Sequence, residues 1–386
     1  MQVSRRLVAL GAASAILFVA CAGGAASPAP ASVPPATTAP ETTAPETTAP
    51  ESTAPESEAP ANTDYKACVA FDTGGLGDKG FNDLAKKGLE DAAALGYDTA
   101  FSEAQGATDY AANIQKLIDQ GCLTIVTVGF NQAQATIEAT LANPDISIAQ
   151  VDAVWDETAN GPTPANFTGL DFQIDEAATV AGYLASGFSQ SKIIGTYGGQ
   201  QFPGVTRFMD GMYAGAKIYN EAKGADVQVL GWDAAAQQGT FVGGDNPWGD
   251  PAKGEQLAQV LLDQGADIVH PVAGATGNGS IKAMAAADKW AIGVDSDQAL
   301  SLPEFASAIL TSAEKRIDVA VLETIKKTSG GDTGGENFVG TLANGGVAIS
   351  PFHELDAEVS AELKAEVEKL AADIAAGTVK IADYLK

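Results

Sequence analysis

The 386-residue chain predicts an α/β fold made of two doubly wound lobes, each a parallel sheet covered by helices. Three observations lead there. Short apolar runs alternate with amphipathic stretches from Lys66 onward, the same rhythm restarts near Ile193, and Tyr65 to Lys386 is longer than a single hydrophobic core usually serves. Strands buried on both faces read as continuous apolar runs, and the helical stretches between them supply the crossovers of a parallel sheet.

In the first half the order is CVAFDT, a helix near Phe81 to Ala94, DTAFSE, a helix near Tyr110 to Gln120, LTIVTVG, a helix near Asn131 to Asn143, and ISIAQVD. In the second it is IIGTYGG, a helix over Gly204 to Glu221, VQVLGW, a helix over Pro251 to Gln264, DIVHPV, a helix over Gly279 to Ala287, and WAIGVD. After Gly293 to Gln298 the chain is expected to return to the first lobe for a helix over Ser312 to Lys327 and then to cross again, giving three hinge strands. The expected division is 65–172 plus 299–335 for the first lobe and 173–298 plus 336–386 for the second. The strands end in Asp72, Gly129, Asp152, Gly198, Trp232, Ala273 with Gly274, and Asp295. Open α/β sheets bind ligands at the carboxyl ends of their strands. Two such edges facing one another make a cleft that closes by hinging.

The first 20 residues read as an export signal: Arg5 and Arg6, an apolar run from Leu7 to Ala20, then Cys21. That run is too short to span a bilayer as a helix. Leu17-Phe18-Val19-Ala20-Cys21 resembles a bacterial lipobox, which implies lipidation of Cys21 and a membrane-anchored protein outside the cytoplasm; the alternative is a plain secretory signal with a spare cysteine. Residues 21–64 then form an expected spacer. Beyond Cys21 they lack Lys and Arg, and proline recurs at 40, 45, 50, 55 and 60 in a TTAPE-like repeat. Such a chain stays extended and solvated. At about 3.1 Å per residue it would reach on the order of 130 Å.

The net charge is −27, and Cys68 and Cys122 are the cysteines of the globular part. An acidic surface repels nucleic acid and anionic lipid, which removes DNA binding from consideration. Each cysteine begins an apolar run, CVAFDTG or CLTIVTVG, and if those strands are neighbours the cysteines sit level; in an exported protein a disulfide is expected, the alternative being two buried free thiols. No zinc spacing exists, and neither metal nor cofactor is expected.

FDTGGLGDKGFND, residues 71–83, is rich in glycine yet fits neither GxxxxGK[ST] nor GxGxxG. Asp72, Asp78 and Asp83 would oppose a phosphate. Phe81 and Asn82 offer an aromatic face beside an amide, a pair suited to a neutral planar ligand; the plainer reading is a packing phenylalanine with a capping asparagine.

This stretch resembles the D-x-G-G-x-x-D-x-x-F-N signature of the basic membrane protein (BMP) family, the purine nucleoside receptor-like lipoproteins that serve ABC transporters. DQGCLTIVTVGFNQA, GGQQFPGVTRFMDGMYAGAKIYN, DPAKGEQLAQVLLDQGADIVHPVAGATGNG, AIGVDSDQ and TSAEKRIDVAV resemble that family's later motifs, in order, across 66–386. The resemblance implies a type I periplasmic-binding-protein fold that presents a nucleoside to a membrane permease as a monomer. It carries Phe81 over as a stacking ring, Asn82 and Asp152 as readers of the base edge, and Asp78 as a further ligand-binding position. It makes Trp248 the opposite ring, Gly274 a close backbone approach to the sugar, and Asp295 with Lys315 the grip on ribose hydroxyls. Trp248 stands where the family has phenylalanine, and the insertion at 243–247 leaves Trp232 and Phe241 as alternative rings.

The chemistry agrees, because a nucleoside joins a flat heterocycle to a vicinal diol. Each assignment has a structural rival: an ion pair for Asp295 and Lys315, a helix cap for Asp152, a turn for Gly274. His270 and His353 read as core and surface residues, and Phe208 as core. Two other functions compete. For a nucleoside hydrolase the sequence offers no Gly-x-Ser-x-Gly elbow, no metal cluster and no histidine at a strand end, and only the aspartates near the cleft speak for it. A receptor for a sugar, an autoinducer or an amino acid would use the same fold.

Overall fold

The computed structural model describes residues 64–386; the export signal, Cys21 and nearly all of the spacer lie outside them. Along the chain run β1 (Lys66–Phe71), α1 (Phe81–Ala94), β2 (Asp98–Glu103), α2 (Tyr110–Asp119), β3 (Thr124–Val128), α3 (Ala133–Ala142), β4 (Ser147–Val151), α4 (Glu157–Asn160), β5 (Phe167–Phe172) and α5 (Ile174–Phe188). Then come β6 (Ile193–Gly198), α6 (Pro203–Lys223), β7 (Gln228–Leu230), β8 (Trp232–Asp233), β9 (Gln238–Gly239), α7 (Pro251–Asp263), β10 (Ile268–Val272) and α8 (Gly274–Ala286). The chain finishes with β11 (Trp290–Asp295), α9 (Gln298–Ser301), β12 (Ile309–Lys315), α10 (Ile317–Ser329), β13 (Phe338–Gly340), β14 (Val347–Ile349) and α11 (Ala361–Ala375).

Two six-stranded sheets result. Their orders are β13-β5-β4-β3-β1-β2 and β14-β12-β11-β10-β6-β7, and every pairing is parallel except β12 with β14. β1, β3 and β4 are apolar and almost wholly buried because helices cover both faces. Cys68, on β1, is disulfide-bonded to Cys122, just before the adjacent β3.

Lobe membership departs from the sequence-based division. β12 lies inside the second sheet, paired with β11 and β14, so the chain crosses to the first lobe at Arg316 and not near residue 299. The expected helix over Ser312 to Lys327 is therefore a strand to Lys315 followed by α10. α10 packs on α1 so closely that a Cβ on Gly88 would lie 2.5 Å from the Asp318 carbonyl. β13 joins the first sheet, so the return crossing falls after Gly340 and not at 336. The three crossings are stitched to each other, Gln173 N–H donating to the Gly340 carbonyl at 2.8 Å and Arg316 N–H to the Gly346 carbonyl at 2.9 Å. Arg207 on α6 adds an ion pair to Asp171 on β5 at 2.8 Å. Phe71, Val126 and Val128 of the first lobe share one buried cluster with Val205, Phe208, Val272 and Val294 of the second.

Candidate functional site

The carboxyl ends of both sheets face one cavity, about 560 Å³ of space partly continuous with solvent. All eight residues singled out as ligand-binding line it: Asp78, Phe81, Asn82, Asp152, Trp248, Gly274, Asp295 and Lys315. Of the alternative rings, Trp232 and Phe241 pack edge to face on one another away from the cavity, and Trp232 donates its indole N–H to Asp210.

Lys315, 2% exposed at the end of β12, occupies the centre. Its ammonium donates to Asp152 at 2.7 and 3.0 Å and to the Gly204 carbonyl at 3.3 Å, while Asp295 stands 3.8 Å away. Asp152, expected at the base edge, is thus the nearer partner of the lysine. Phe81 and Phe208 flank the same ammonium, their ring centres 5.5 and 4.9 Å distant. Phe208 is buried as expected for core, yet it also forms cavity wall.

Asp152, just past β4, and Asp295, the last residue of β11, have left-handed backbone, φ 60° and 65°. Non-glycine residues rarely hold this conformation, and where they do it aims a side chain or carbonyl that a regular strand would not. Among the described residues nothing donates a hydrogen bond to the Asp295 carboxylate, and burial pushes its pKa up to about 7 against the opposing pull of Lys315. Burial likewise raises Asp72, to about 6, although Asn82 and the Gly74 N–H hold its charge.

Asn82 departs from the expected base reader. Its amide nitrogen donates to Asp72 at 2.9 Å and to Asp78 at 3.0 Å, so both donor positions are occupied. Asp78 in turn accepts the backbone N–H of Gly80, Asn82 and Asp83, capping the start of α1. These two residues shape the loop that presents Phe81, because a helix start leaves N–H groups that a carboxylate satisfies. Gly274 holds φ 52° beside the Trp248 carbonyl, a backbone state that favours glycine. Gly199 lets the Trp248 ring lie against the backbone, since a Cβ there would sit 2.2 Å from the ring edge.

Sequence reasoning left out Phe130, Asn131 and Phe202, and named Asp72 as a strand end without a ligand role; all four are in the cavity wall. Phe130, of the first lobe, stacks on Phe202, of the second, at 5.0 Å and 14°. Phe202 meets Trp248 edge to face at 6.0 Å, and Asn131 donates to Gln200 at 3.1 Å. A signal existed, since Phe130 directly follows the strand-end Gly129. His270 is fully buried in β10, and burial depresses it to about 3; His353 pairs with Asp297 at 2.6 Å, outside the cavity.

The carboxyl groups of Asp72, Asp78, Asp152 and Asp295 share the cavity wall with one ammonium, an arrangement that disfavours an anion, and aromatic rings line the rest. Two facing sheet edges enclosing such a cavity define a two-lobed binding protein. The comparisons with known proteins agree. Residues 66–383 match the family model described as Bmp, ABC transporter substrate-binding protein PnrA-like. The chain belongs to this family.

A relative from Lactococcus lactis subsp. cremoris, the ABC transporter nucleoside-binding protein BmpA, is 30% identical over 83% of this chain and 89% of its own. Basic membrane protein D of Borreliella burgdorferi is 28% identical over 80% of this chain and 85% of its own. A crystal structure of an ABC transporter solute-binding protein from Aeropyrum pernix K1 superposes with a TM-score of 0.71 at 27% identity, covering 82% of this chain and 92% of that one. The family model, the Lactococcus relative and the Aeropyrum structure are all described as binding proteins. Family membership implies a small-molecule ligand, a membrane permease as partner and an extracytoplasmic location. Among the described residues no helix is long and apolar enough to cross a membrane.

Proposed function

We propose that the protein captures a nucleoside between its lobes and, anchored through a lipid on Cys21, delivers it as a monomer to the permease. One observation carries the reading: aromatic rings and a charged acid–amine pair share a single cavity, Phe81 and Trp248 with Asp295 and Lys315. The rings suit a planar base, each such stack contributing about 1–3 kcal/mol in nucleic-acid complexes. The Asp295 carboxylate, without a donor of its own, suits ribose hydroxyls, and the Lys315 charge 3.8 Å away favours its ionised, accepting form. Asp72, with one oxygen engaged by Gly74 and Asn82, leaves the other for an exocyclic amine or ring N–H of the base. The acids turn away the phosphate of a nucleotide. The name of the Lactococcus relative points the same way.

Isothermal titration of the purified protein with adenosine, guanosine, cytidine, uridine, AMP and ribose tests this. The expected result is micromolar or tighter binding of at least one nucleoside, with AMP and ribose at least tenfold weaker. Binding of ribose as tight as that of every nucleoside, or of none of the six, overturns it.

A further inference from the structure

The glycine-rich loop of the first lobe is held from the other side of the cleft by groups that do not line the cavity. Lys79 sits there with φ 64°, a left-handed conformation in a residue that carries a Cβ. Its carbonyl accepts hydrogen bonds from two serine hydroxyls of the second lobe, Ser296 at 2.6 Å and Ser301 at 2.9 Å. A carbonyl oxygen has two lone pairs, so this one is saturated. The preceding carbonyl, of Asp78, accepts the side-chain amide of Asn278 on α8 at 3.1 Å.

Asn278 is not free to turn away. Its oxygen accepts the amide of Gln298 at 3.0 Å, which leaves its nitrogen facing the loop. Gln298 is 1% exposed and anchored in turn, its oxygen accepting the Val294 N–H and its own N–H donating to Ser312. The loop so gripped is the one whose Asp78 side chain caps α1, and Phe81 is the first residue of that helix.

We propose that Asn278, Ser296 and Ser301 form a closure latch, three second-lobe donors on two first-lobe carbonyls, which sets how long the cleft stays shut. They act through the loop and touch no ligand, so they are positioning residues. In an open form water replaces these partners. A neutral hydrogen bond exchanged with water retains a modest net strength, so each donor shifts the closed-to-open ratio by about two- to tenfold. A latch stabilises only the closed state, so its loss speeds release and leaves encounter unchanged. The proposal rests on the cleft being the ligand site and not on the ligand being a nucleoside.

The test uses the full chain and the variants Ser296→Ala/Ser301→Ala and Asn278→Asp; the aspartate keeps the oxygen that accepts from Gln298 and removes the donor. With adenosine as probe in stopped-flow fluorescence, dissociation should quicken about fourfold or more in the serine pair, which loses two donors, and about twofold or more in Asn278→Asp, which loses one. Association should stay within about twofold, and the melting temperature of ligand-free protein should not move. Ser296→Thr/Ser301→Thr, which keeps both hydroxyls, should restore slow release. Unchanged dissociation, or loss of ligand-free stability matching the whole effect, overturns the latch. Spin labels on the two lobes give a second readout independent of ligand identity. Should adenosine fail to bind wild type, the nucleoside reading suffers, while the latch still requires a larger open population in the variants than in wild type; equal populations overturn it.

Discussion

Lys315 and Asp152 meet across the cleft at 2.7 Å, the lysine at the end of β12 in one sheet and the aspartate just past β4 in the other. Both are almost fully buried, at 2% and 6% side-chain exposure. The pair therefore ties the lobes together while forming the polar floor of the cavity. Removing one partner strands the other charge in a dry site.

Lys315→Met keeps the aliphatic packing but leaves Asp152 and Asp295 without their cation. Breaking a buried pair in this way costs about 3–5 kcal/mol. Urea unfolding of the ligand-free protein measures the loss. Lys315→Met/Asp152→Leu should recover much of it, because an apolar pair of similar volume often substitutes for a buried ion pair. A double variant as unstable as the single one would contradict the pairing argument.

The pKa of Asp295 implies two opposite pH trends. The folded value, about 7, lies above the ordinary 3.8, so its stabilising contribution is complete below about pH 3.8 and is lost as pH rises through 7. In ligand-free protein, wild type should gain on Asp295→Asn in melting temperature as pH falls from 7.5 to 5. Under the proposed nucleoside reading, ligand hydroxyls instead require the carboxylate. Nucleoside affinity should fall by up to about tenfold for each unit below pH 7, by titration calorimetry, and the variant should show no such slope. A pH-independent wild type would count against Asp295 as the diol acceptor.

Gly199→Ala is expected to push the Trp248 ring out of place, since the added carbon would fall 2.2 Å from it. Overpacking of this kind costs about 1–3 kcal/mol. Ligand affinity should drop tenfold or more, with a shift in tryptophan emission and a retained fold by circular dichroism. Unaltered binding would mean that Trp248 does not hold the guest.

The Cys68–Cys122 bond closes a loop of 54 residues between buried ends of adjacent strands. Loop-closure entropy at that length corresponds to about 4 kcal/mol. Cys68→Ala/Cys122→Ala should lower the urea midpoint accordingly, and wild type with reductant should approach it. Equal midpoints for all three would show that the unfolded chain is not constrained by the crosslink.

What could be read from the chain alone was what depends on neighbours in sequence. The apolar runs of β1, β3 and β4 and the helix starting at Phe81 follow from local periodicity, and the cysteines were placed by strand position. The eight cavity residues were named from ordered motifs, and all eight line one cavity. α5 escaped notice because it is buried on nearly every side and shows no polar stripe. β12 was merged with the helix after it, since a strand covered on both faces has no alternation to mark it. Partners were decided by the tertiary structure. Lys315 and Asp152 are 163 residues apart, and the Ser296 hydroxyl and Lys79 carbonyl 217 apart. Nothing in the residues beside Lys315 or Lys79 states which distant group each will face. That choice is set by how the chain folds back on itself, because a hydrogen bond is governed by distance and direction in space and not by separation along the chain.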